Sequence, residues 1–251
     1  MALPNLNHIG EATINKIATK AFETQVTQAR ELSVNVKVSR QNLRKGILES
    51  LEINGQGLIM KRGLSLEQMN ISLHEIGVNP LKALMGNVQL TKPSEGNACI
   101  ILTEKDICTA LNIGYLNGIA SQYDVSMDNH PVHIKFENVN CRILSDHRIM
   151  VEAKVLVKET NTMERVCILF KPIICDQGNG VLLDDLEYVE GKGLSSIIID
   201  GLISQICDVF NLDHFVIDGI SLQVNNLDFS EGMLRLSALA GITHFPMGSN
   251  G

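Results

Sequence analysis

His130, His133 and His147 are the residues whose types suit a transition metal, and Asp184, Asp185, Glu187 and Glu190 those that suit proton exchange or calcium. A zinc site needs imidazoles converging on one point. If residues 132–136 form a strand, positions three apart point to opposite faces, and Pro131 makes 130 a turn residue. The four acids match neither calcium-loop spacing nor a pair across a cleft, so they read as a solvated acidic edge. His8, His74, His214 and His244 stand alone. There is no Gly-x-Ser-x-Gly elbow, no phosphate-binding Gly-x-x-x-x-Gly-Lys-Ser/Thr loop and no Gly-x-Gly-x-x-Gly after a strand. These residues therefore assign no catalytic group, metal ligand or cofactor, and the expectation is a protein that is not an enzyme.

Composition narrows the classes further. A net charge of −7, no tryptophan and 4% aromatic residues exclude a nucleic-acid binder, which needs a basic groove with stacking platforms. The cysteines at 99, 108, 141, 167, 175 and 207 form no Cys-x-x-Cys pair and sit in apolar runs, as small core residues of a reducing compartment do. No apolar run approaches the length of a membrane span, and residues 1–10 carry neither a basic nor an apolar leader region. The expected location is cytoplasmic, with any membrane contact peripheral.

Charge is unevenly distributed. Residues 1–92 hold 11 basic and 7 acidic side chains, against 10 and 21 in the remainder. Arg40, Arg44 and Lys45, with Lys61 and Arg62 near in sequence, could turn one end of the molecule toward an anionic bilayer, each cation contributing about 1 kcal/mol. The plainer reading of the same residues is a solvated loop.

Periodicity supplies the elements that would carry any site. Ile14, Ile17, Ala18, Ala21 and Phe22 recur at helical spacing, predicting an amphipathic helix over 11–22. Val34, Val36 and Val38 alternate with polar residues, as do Met69, Ile71 and Leu73, predicting strands. Residues 51–60 and 64–73 form a hairpin across Lys61-Arg62-Gly63. Asn79-Pro80 opens a tight turn, a short strand ends near Pro93, and a second runs from Ala98 to Leu102. Thr103 then caps a helix, with Asp106 at the capping-box position, that continues to about Tyr123. Strands at 132–143, 148–158, 163–174 and 181–189 form a meander. An unusually wide-faced apolar helix spans 194–212, before strands at 215–224 and 233–240. Ile53-Asn-Gly55 and Ile217-Asp-Gly219 hint at a pseudo-repeat of about 10–125 and 126–245 within one elongated domain, 1–251. Periodicity by itself says α+β with antiparallel sheet.

Asn79-Pro80-Leu81, Ala83, Gly86, Leu90-Thr91, Pro93, Ala98, Leu102-Thr103-Glu104, Asp106, Ala110 and Asn112, with 51–58 upstream and 215–222 downstream, resemble the LmeA-like phospholipid-binding family, particularly its cyanobacterial-type members. The likeness covers roughly residues 10–245 and departs at Ser94, where threonine is expected after the proline. It implies a long twisted antiparallel sheet curled around apolar helices, in the manner of tubular lipid-binding proteins, and a role in lipid binding or transport. The expected acyl-chain lining is Ile14, Ile17, Met69, Ile71, Leu73, Ile100, Leu102, Ile198, Leu202 and Ile206, since aliphatic volume suits acyl chains better than directional polar groups. The expected partner is a phospholipid or other acyl lipid. The alternative is a structural or protein-interaction module with a fully packed core and no ligand. A third reading, an accessory or catalytic role in envelope glycolipid synthesis, would need an essential acid near Asp184.

Overall fold

The computed structural model describes residues 15–16, 18–61, 63–84, 89–116, 123–127, 130–158, 160–175, 178–190, 196–211, 215, 217–230 and 232–245. Most of the described residues lie in strands. They form two open antiparallel sheets, and the helices are few.

Seven strands build the first sheet: β1 (Val26–Gln28), β2 (Glu31–Lys37), β3 (Ile47–Met60), β4 (Ser65–Gly77), β5 (Ser94–Thr103), β11 (Ile220–Ser230) and β12 (Met233–Ile242). Their order is β1-β3-β4-β5-β12-β11, with β2 also pairing β3. β6 (Tyr123–Met127), β7 (His130–Ile143), β8 (Ile149–Val157), β9 (Thr162–Ile174) and β10 (Val181–Glu190) form the second sheet, ordered β10-β9-β8-β7-β6. The helices are α1 (Arg40–Arg44), α2 (Pro80–Leu84), α3 (Glu104–Leu116) and α4 (Ser196–Val209). Residues 18–23 are also helical and bury Ala18, Ala21 and Phe22.

The alternating valines of β2 bury Val34 and Val36, as a one-sided strand must. Along β3 and β4 the buried phase slips by one residue at Gly57 (φ 55°) and at Glu75 (φ 51°). These left-handed residues keep Leu58, Leu66, Ile53 and Ile76 all inward, where strict alternation would put Ile53 on the opposite face from the other three. Gly96 is required by close approach, because a Cβ there would lie 2.0 Å from the Ser72 carbonyl oxygen. In β9 the run Val166-Cys167-Ile168-Leu169-Phe170 is buried on both faces.

Three boundaries differ from expectation. Between Pro80 and Pro93 the described residues hold no strand. Asn79 Oδ1 instead accepts the Lys82 N–H (3.1 Å), capping a helix with proline at its first position, and only the Val78–Leu90 bridge follows. α3 is described to Leu116, residues 117–122 lie outside the described residues, and Tyr123 belongs to β6. Phe215 and Ile217 are buried but precede β11, because Asp218-Gly219 turns the chain with Gly219 at φ 80°. Residues 11–14 of the expected N-terminal helix lie outside the described residues.

α3 packs against β4, β5, β7 and α4, while α4 also meets β10. The sheets meet where β11 approaches β9: the Val224 N–H donates to the Gly178 carbonyl (2.8 Å), and His147 stacks on Phe229 at 5.4 Å. Phe170 of β9 meets Phe210, just past α4, edge-on at 6.4 Å.

Candidate functional site

Met69, Ile71 and Leu73 on β4 share the inner face with Ile100 and Leu102 on β5, since Met69 is the register partner of Ile100 and Ile71 that of Ala98. β12 extends the face through Leu236 opposite Ile100 and Leu234 opposite Leu102. Leu202 and Ile206 of α4 belong to the same buried core. All seven expected lining residues that are described are at most 2% exposed, closed by protein atoms against internal voids as well as solvent. Ile14 and Ile17 lie outside the described residues, as does the side chain of Ile198. α1 carries Arg40 and Arg44, and Lys45 follows at its C-cap. Arg44 and Lys45 are exposed, on a helix whose N-cap Ser39 accepts the Asn42 N–H (3.3 Å).

The residues shared with the resemblance in α3 do structural work. Thr103 N–H and hydroxyl both donate to Asp106 Oδ2 (2.9 and 2.6 Å), and the Asp106 N–H returns a bond to Thr103 Oγ1 (3.2 Å). This reciprocal box satisfies the first-turn donors where strand becomes helix. β6 pairs with β7 only over 130–134, so residues 136–143 of β7 present a bare edge. α3 covers it. Glu104 Oε1 accepts the Ile143 N–H (2.7 Å). Asn112 accepts the Val139 N–H (3.3 Å) and donates to the Val139 carbonyl (2.8 Å), as a neighbouring strand would. Cys108 Sγ also donates to that carbonyl (3.0 Å). Val139 follows the β7 bulge, where Asn138 has φ 51°. Ser94, the mild departure, donates its hydroxyl to the Glu75 carbonyl (3.4 Å).

Open clefts accompany the closed core. On the outer face of the first sheet, Asn54, Asn70, Asn97, Ser72 and Arg235 line about 560 Å³. The register aligns Ser33, Asn54, Asn70, Cys99, Ser237 and Asn226 in one uncharged row across six strands. A second cleft, about 520 Å³, lies beside α3 and is lined by Asn112, Asn138, Asn140, Glu152, Lys154 and Arg165. A smaller neighbour of about 310 Å³ is lined by Glu104, Asn140, Arg142 and Glu152. Sequence reasoning missed both larger clefts, because each is assembled by register between strands.

The residues considered for chemistry remain apart. His130 opens β7 opposite Met127 instead of standing in a turn, and His133 pairs Asp124. His147 is committed to Phe229. Asp184, Asp185 and Glu187 are exposed on β10, and Glu187 bridges to Arg148 (3.1 Å). Among the described residues no three His, Cys, Asp or Glu gather where a metal could bind. No helix there is long and apolar enough to cross a membrane.

By class, this is an α+β protein of two antiparallel sheets with a continuous aliphatic interior between sheet and helix. The chain belongs to the LmeA-like phospholipid-binding family, whose model matches residues 7–238. No curated protein and no solved structure matches it.

Proposed function

We propose that this chain is a non-enzymatic phospholipid-binding protein that holds acyl chains between α4 and the inner face of the first sheet and carries lipid to or from a membrane. Membership of a phospholipid-binding family over nearly the whole chain carries this reading. In it, the sheet curls around its helices as in tubular lipid-binding proteins. Ile14, Ile17, Met69, Ile71, Leu73, Ile100, Leu102, Ile198, Leu202 and Ile206 contact the chains, while Arg40, Arg44 and Lys45 face a cytoplasmic, anionic leaflet. Each buried methylene contributes about 0.8 kcal/mol, enough for useful affinity without a polar anchor. Because the described lining is closed, lipid entry in this reading requires the helices to part from the inner face of the sheet.

Native mass spectrometry of gently purified protein tests the reading, together with uptake from anionic liposomes. Bound phospholipid is the expected result; its reproducible absence in both measurements overturns it.

The closed interior also favours a second reading, a packed interaction module. Ile173 and Leu182 are register partners on the outermost hairpin and stay 36% and 52% exposed, an apolar pair suited to a protein partner. Lipid-free purification together with a stable protein complex would support this module.

A further inference from the structure

We infer that the cleft on the outer face of the first sheet binds a neutral oligosaccharide. Asparagine is among the residues least suited to a strand, yet three interior strands carry it on this face. Asn54 is the register partner of Asn70, and Asn97 stands one pleat away, opposite Ser72. Asn35 of β2 and, at the β11 bulge, Asn225 and Asn226 extend the face to either side. None of these six carboxamides has a hydrogen-bond partner among the described residues, so each offers donors beside an acceptor. Paired strands fix their backbone before any ligand arrives, which lowers the ordering cost of binding. The charges nearby are few and matched. Glu52 meets Lys37 (3.3 Å), and Arg235, 4.0 Å from Cys99 Sγ, is the register partner of Asp228. Leu239, opposite Asn97, is 48% exposed. A sugar ring carries hydroxyls at its rim and C–H groups on its faces, so amides around an aliphatic side chain meet both. A face kept polar for solubility alone needs neither the amides nor the leucine, since charged side chains serve that end. The cleft of about 560 Å³ admits a short oligosaccharide. With its cations matched, this face has no cluster of free positive charge to press it against an anionic bilayer, which favours a ligand reached from solution. It is also the face opposite the aliphatic interior, so the inference goes beyond the lipid-binding reading and does not rest on it.

The experiment uses the full chain. Neutral di- and trisaccharides of glucose, galactose and mannose are titrated by NMR, following the side-chain amides of Asn54, Asn70 and Asn97. At least one saccharide is expected to shift all three amides saturably. Threonine suits a strand better than asparagine, so the double variant N70T/N97T should melt no lower than wild type while binding that saccharide roughly tenfold more weakly. Leu239→Thr, at an exposed position, should weaken binding by roughly threefold. Asn140→Thr, the same exchange at an exposed position on the second sheet, should leave binding unchanged. Three amides that no saccharide of the panel shifts overturn the site, as does an equal loss of binding in Asn140→Thr. Flotation compares phosphatidylcholine vesicles with and without monogalactosyl diacylglycerol. Recovery that depends on the glycolipid, with no shift from any soluble saccharide, overturns the assignment to a ligand in solution. Lipid retention in native mass spectrometry reports on the aliphatic interior alone, so this inference and the lipid-binding reading fail separately.

Discussion

Asn112 shows how a polar residue beside the buried Ile107 and Leu111 is placed by geometry instead of chemistry. Its carboxamide presents a donor beside an acceptor, as a peptide group does to a strand edge, and both meet Val139, while its Nδ2 also donates to the Cys108 carbonyl (2.7 Å). Cys141, two residues farther along β7, illustrates the opposite case. Burial, joined by the neighbouring Cys108 and Glu104, pushes its thiol well above the ordinary range. Below the ordinary thiol pKa of about 8.5, folded and unfolded states both hold the proton and stability is indifferent to it. Above that value the unfolded chain ionises while the folded one does not, so stability falls as pH rises, by about 1.4 kcal/mol per pH unit for this group. Denaturant midpoints measured across alkaline pH should show that slope in the wild type and a shallower one in Cys141→Ala. In native protein, Cys141 should also resist alkylation while half-exposed Cys99 and Cys175 react.

At the scale of elements, the pairing of α3 with the bare edge of β7 joins the two sheets. Glu104, Cys108 and Asn112 recur every four residues and form a polar stripe toward β7, while Ile107 and Leu111, fully buried, lie in the shared core. Asn112→Ala leaves the Val139 N–H without its acceptor and the Val139 carbonyl with only the Cys108 thiol, and should cost about 1–3 kcal/mol. Hydrogen exchange should accelerate first at Val139, the amide that loses its acceptor, whereas the Thr103–Asp106 box at the other end of α3 stays protected. A uniform loss of protection along the chain would mean that Asn112 acts on global stability alone.

For the whole molecule, the question is whether the aliphatic interior is only a core or also a lipid site. Leu66 and Leu202 are both fully buried, but Leu66 lies near the β3–β4 hairpin and Leu202 on the proposed acyl-chain face of α4. Truncating either to alanine should cost about 2–5 kcal/mol, because the removed volume is only partly refilled. Only Leu202→Ala should change the amount of lipid retained in native mass spectrometry. Equal retention by the two variants would assign Leu202 to packing. The outward faces follow different rules: the first sheet shows an uncharged amide row, and the second sets Lys154 between Glu137 and Arg165.

Much of this architecture was legible in the chain itself, because it depends on short-range bonds. Thr103 with Asp106 announces a capped helix, Lys61-Arg62-Gly63 a hairpin, and the alternating valines of β2 a one-sided strand. At Asn79-Pro80 a tight turn was expected and a short helix forms instead, because proline suits the first position of a helix. Strand order was not legible. β12 returns from the far end of the chain to lie between β5 and β11, and no local pattern encodes that choice. Neither the Asn112 contact with Val139 nor the facing of Lys154 and Arg165 could be read, since a bulge or one residue of register moves every such pair to the other face. Residue types determined that the interior is aliphatic and the strands antiparallel; only the tertiary register decided which polar groups meet, because hydrogen bonding between distant strands sets their alignment.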